Sequence, residues 1–130
     1  MTMRTIRVAA TMAASLSCAG VAFAASDYEN TGQELARFAA AYERVQASGV
    51  HANPDEMQGT AYYQGFTMGV AVSTLQALWC PSARFTGAQV AGIVARFLAN
   101  SPESWGEAPE RLVVTALARV YPCNGRAPRH

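Results

Sequence analysis

From Thr31 onward, apolar residues recur every three to four positions, the spacing of one face of a helix, and no segment alternates like a strand. Leu35, Phe38, Ala39, Tyr42 and Val45 make the first stripe. Thr31 and Glu34 open it at capping-box spacing and Gly49 closes it. Asn53-Pro54-Asp55-Glu56 starts a second helix, with a cap, a proline at the first helical position and acids facing the dipole. The pattern carries that helix to about Trp79. One stripe runs through Ala61, Gly65, Met68, Val72, Leu75 and Trp79, and an adjacent one through Tyr62, Phe66 and Gly69. So broad an apolar surface predicts a central helix covered on several sides. Thr86 and Gln89 cap a third helix with Val90, Ile93, Val94, Phe97 and Leu98 on one side, ending near Asn100. The fourth begins at Ala108-Pro109-Glu110, buries Leu112, Val113, Ala116, Leu117 and Val120, and stops at Pro122. The expected fold is all-α, a small bundle of about four helices.

The first 24 residues predict a different role. Arg4 and Arg7 precede an uncharged run from Val8 to Val21, and Ala22-Phe23-Ala24 offers small residues where a signal peptidase cuts. Residues 1–24 therefore read as a secretory signal removed before Ala25, leaving one domain over 25–130 with a polar tail at 124–130. Leu16-Ser17-Cys18-Ala19 only partly resembles a lipobox, because the leucine is one place too close to Cys18. A cleaved leader places the protein in the periplasm without stable membrane insertion. It also leaves two cysteines, Cys80 and Cys123, which in an exported small domain predict one disulfide.

That bond would tie the C-terminal ends of the second and last helices. The third helix then starts near the tied end and runs away from it. The connection Ser101-Pro102-Glu103-Ser104-Trp105-Gly106-Glu107-Ala108 is thereby expected at the opposite pole.

Composition narrows the function. Ten basic residues, all arginine, against nine acids leave no basic stripe for nucleic acid. No charge occurs between Glu56 and Arg84, but Gln58, Gln64, Thr67, Ser73, Thr74 and Gln76 make a membrane span there costly. Gly65 and Gly69 form a GxxxG, suited to close packing inside the bundle or to a dimer.

Catalysis has little to draw on. The two histidines are His51, before the second helix, and His130, the last residue; an oxidised Cys80 cannot act with His51 as a nucleophile. Two cysteines and two histidines lack the spacing of a zinc site, and no cofactor motif is present. The residues that suit a protein partner are Glu103, Ser104, Trp105 and Glu107. Trp105 is either an interface anchor with an acidic rim or a ring folded back on the bundle.

Several fragments occur in one order: Tyr62-Tyr63-Gln64-Gly65-Phe66-Thr67-Met68-Gly69-Val70, Trp79-Cys80-Pro81, Thr86-Gly87-Ala88-Gln89, Phe97-Leu98 before Pro102-Glu103, and Tyr121-Pro122-Cys123. Over Tyr62–Cys123 the chain resembles the Rap/Tai immunity proteins of type VI secretion systems. The resemblance implies a small exported helical protein that forms homodimers and performs no chemistry of its own. It would bind a peptidoglycan amidase effector and block its active-site groove. It also implies that the Cys80–Cys123 pair is the family's disulfide and that the 101–108 connection is the loop inserted into the toxin. Pro81-Ser82-Ala83-Arg84-Phe85 departs from the family's proline-richer turn, and Ser104-Trp105-Gly106 matches no toxin-contacting motif. Two rival classes are a periplasmic acid-stress chaperone, whose broad apolar faces would hold clients, and a structural subunit of an envelope complex. One interior histidine is a sparse titrating set for a chaperone's acid switch.

Overall fold

In the computed structural model, residues 31–48 and 53–124 are described. The leader, Cys18, the cleavage position before Ala25, Gly49, His51 and the tail beyond Asn124 with His130 lie outside them. The described chain is all-helical: α1 (Gly32–Ser48), α2 (Pro54–Ser73), α3 (Gly87–Asn100), a 3₁₀ turn (Pro102–Ser104) and α4 (Pro109–Val120). No described helix is long and apolar enough to cross a membrane.

The helix starts obey their caps. Glu34 donates its backbone N–H to Thr31 Oγ1 at 3.1 Å, and Glu56 donates to Asn53 Oδ1 at 2.9 Å. Thr86 and Gln89 form the full reciprocal box. Each contact satisfies an amide that the first helical turn leaves free.

α2 does not run to Trp79. It ends at Ser73, and the chain turns through Gln76, whose φ of 62° lies in the left-handed region that side chains rarely adopt. The exit is held by side chains. Ser73 and Thr74 hydroxyls both donate to the Val70 carbonyl, and the Trp79 indole N–H donates to the Ala71 carbonyl at 2.8 Å. Trp79 has returned against the helix it was expected to extend. It is fully buried, edge-on to Phe85 with ring centroids 4.8 Å apart and also near Tyr121.

The inward face of α2 also differs from its apolar stripes. The buried positions are Gly59, Thr60, Tyr63, Thr67 and Ala71, whereas Ala61, Gly65, Gly69 and Val72 are exposed. Two of the three buried hydroxyls on this face find partners inside: Thr67 Oγ1 donates to Tyr63 O, and Tyr63 Oη donates to Ala91 O of α3 at 2.7 Å, whereas Thr60 Oγ1 has no hydrogen-bond partner among the described residues. No described atom lies within 4 Å of a Cβ built at Gly65 or Gly69, so their GxxxG does not mediate packing among the described residues.

The remaining stripes supply the core. Leu35, Ala39 and Tyr42 of α1, Val90, Val94 and Leu98 of α3, and Leu112, Val113, Ala116 and Leu117 of α4 join Tyr63, Ala71 and Trp79 in one cluster. Val120, expected inside, is 52% exposed because α4 ends there and its last turn passes the edge of α3. α1 packs mainly on α2 and α3, and α4 on α3 and α2. Cys80 and Cys123 are bonded, and Cys80 donates its backbone N–H to Tyr121 O at 2.8 Å, so the segments following α2 and α4 are joined twice.

Burial, with a smaller contribution from its neighbours Tyr42 and Glu43, pushes the Tyr63 hydroxyl well above the usual tyrosine value of 10.0; burial and then Glu43 raise Tyr42 less strongly. An acid whose folded value is raised favours the folded state below its unfolded pKa, and that contribution is lost as pH rises further. Urea midpoints should therefore hold steady up to about pH 10 and fall above it. Tyr63→Phe should flatten the alkaline fall while costing about 1 kcal/mol at neutral pH for the lost hydrogen bond. An equally steep alkaline fall in the variant would assign the effect to another group.

Candidate partner-binding site

The connection between α3 and α4 is a chain of tight turns. Ser104 N–H donates to Ser101 O, Trp105 N–H to Pro102 O and Glu107 N–H to Ser104 O, at 2.9–3.2 Å. Three of its carbonyls thus find donors within the loop, and an eight-residue connection needs no sheet or ligand to hold its shape. It lies at the C-terminal end of α3, about 21 Å along that helix from the disulfide-linked end.

The four residues expected to meet a partner are brought together here. Glu103 and Glu107 are exposed, and Ser104 and Trp105 are half-buried. Trp105 is tied to the bundle on one edge: its indole N–H donates to the Leu98 carbonyl at 3.0 Å, and its ring packs against the core cluster. That bond satisfies a carbonyl of the last turn of α3. The ring is folded back at its nitrogen and is still only half-buried.

The first turn of α1 adjoins this loop, which the sequence reading did not anticipate. Thr31, Gln33, Glu34, Arg37 and Trp105 line one shallow pocket. Arg37 pairs with Glu34 at 3.2 Å and lies over the Phe38 ring, 5.1 Å from its centroid. The pole therefore carries acids on the loop and a guanidinium on α1, a mixed rim around one aromatic ring. A glycine directly after a helix cap was the available signal, since glycine is a poor helix residue unless a close approach needs it.

A second groove lies between α3 and α4, floored by Ile93, Phe97, Val120 and Tyr121 and edged by Arg96 and Arg119. Arg119 stacks over Phe97 at 4.8 Å. Cys80 is held in its disulfide, so its sulfur is not a free nucleophile. Among the described residues no group of histidine, cysteine and carboxylate side chains could hold a metal ion.

The described chain is thus a disulfide-tied helical bundle whose α3–α4 loop is braced on its own helices. The family comparison is more specific: the family model for Rap1a immunity proteins matches residues 31–123. The chain belongs to the Rap1a immunity protein family. That match begins at Thr31 and so includes α1, which the sequence resemblance had left out. No curated protein and no solved structure matches the chain.

Proposed function

We propose that this chain is the periplasmic immunity partner of a type VI secreted peptidoglycan amidase, which it inhibits by seating the 101–108 loop in the enzyme's active-site groove. Membership of an immunity family supports binding to a secreted effector. The observation that carries the finer reading is the loop itself: its backbone is braced on the bundle while Glu103, Glu107 and part of Trp105 face outward. A plug of that kind loses little conformational freedom on binding, which favours affinity. Inhibition is then steric and electrostatic, with no bond made or broken by this protein.

The leader-like first 24 residues support action after export, where the effector would meet the cell wall. A homodimer belongs to the same reading. The outer face of α2, small and uncharged at Ala61, Gly65 and Gly69 with Met57 and Val72 exposed beside it, is surface on which a second copy could pack closely.

The test is capture of the effector with oxidised protein, residues 25–130, followed by titration of that protein into the captured amidase. Hydrolysis of peptidoglycan should fall to background at one equivalent. Trp105→Ala should weaken inhibition about thirtyfold, the effect of losing a central anchor of about 2 kcal/mol. Undiminished hydrolysis in the presence of excess protein rejects the pairing. Unchanged inhibition by Trp105→Ala with a lowered melting temperature leaves that ring a role in the fold alone.

A further inference from the structure

We propose that Gly32, the first residue of α1, is the positioning residue of the partner-binding loop; this rests on the reading that the loop faces the effector. A Cβ at Gly32 would lie 2.6 Å from the carbonyl oxygens of both Trp105 and Glu107 and 2.6 Å from Leu112 Cδ1. Ordinary contact begins near 3.4 Å. The two carbonyls are main chain and cannot rotate away, and Leu112 is fully buried with no free volume to enter. Any side chain at position 32 must therefore displace the loop backbone or the start of α1.

The opposite side of the loop is fixed. Trp105 is tethered through its indole to Leu98 O, so the 105–107 backbone is clamped between the start of α1 and the end of α3. Glu107 turns its carbonyl toward Gly32 while the residue as a whole stays exposed. A shift of roughly 1 Å at that carbonyl would carry the outward-facing acid with it, and binding groups tolerate little more than about half that error. Gly32 acts through the loop and need not touch the partner.

The experiment compares Gly32→Ala with Gly92→Ala in α3, since a Cβ at Gly92 meets no described atom within 4 Å and lies outside the loop. Gly32→Ala should shift the Trp105 indole N–H and the Trp105 and Glu107 amide signals, leave the Trp79 indole signal in place, and raise the inhibition constant about tenfold or more. Gly92→Ala should change neither. Loop signals and inhibition that stay at wild type in Gly32→Ala overturn the proposal. So does displaced loop signal with undiminished inhibition when Glu103→Arg and Glu107→Arg weaken it, because the loop then binds without needing this position. If those charge reversals are also silent, the loop does not face the amidase and the underlying reading fails instead. Should Gly32→Ala not fold, nuclear Overhauser contacts between the Gly32 α-protons and the Trp105–Glu107 backbone in the unaltered protein decide the matter: their presence supports the clamp and their absence overturns it.

Discussion

Replacing both Cys80 and Cys123 by alanine is expected to lower stability by about 4 kcal/mol, from the entropy regained by an unfolded chain no longer closed across that separation. The two residues stand 43 positions apart, and the loop they close contains all of α3 and α4. A small domain commonly has only about 5–15 kcal/mol in total, so the variant should be partly unfolded near body temperature. The Cys80 N–H bond to Tyr121 O remains available and should keep the two segments associated in the folded fraction. Denaturant midpoints of the oxidised protein and the double variant measure the difference directly. A loss below about 1 kcal/mol would mean that the unfolded chain is already compact across this span.

Trp79→Ala should be comparably damaging, at about 3–5 kcal/mol. Trp79 is the largest fully buried side chain, and it meets Phe85, Tyr121 and the Ala71 carbonyl. Trp79→Phe keeps an aromatic ring and removes the indole donor, so it should forfeit the hydrogen bond at about 1 kcal/mol plus a modest packing loss. Circular dichroism during urea unfolding distinguishes the two without relying on tryptophan emission. If both variants cost the same, the hydrogen bond to Ala71, and not ring volume, holds the end of α2. Trp79 neighbours the disulfide, so combining its loss with the cysteine variant should not give a simple sum.

The helix starts were legible because caps are local. Asn53, Thr86 and Pro109 each announce a beginning through a side chain or ring within the first turn. The end of α2 was not legible, because the run from Val70 to Trp79 keeps helical spacing while the carbonyls that would continue the helix are taken by Ser73, Thr74 and a tryptophan eight residues on. The buried face of α2 was misread for a related reason. Thr60 and Thr67 look polar, yet they face inward, and Thr67 bonds back to its own helix at Tyr63. Spacing alone cannot rank a satisfied threonine above an alanine such as Ala61, which the fold leaves outside.

At the candidate site, prolines, glycine and acids marked the loop, and counting residues along α3 placed it away from the disulfide. The tether of Trp105 to Leu98 and the approach of Gly32 depend on how three helices meet, and no local pattern encodes them.

The covalent ring closed by Cys80 and Cys123 contains the loop that we assign to the partner. A protease that nicked this exposed connection would cut the chain without dividing the molecule. The piece carrying α1 and α2 and the piece carrying α4 would stay linked through sulfur, each still in place against the other. A break in this connection need not separate the halves, because the bond that joins them lies outside it.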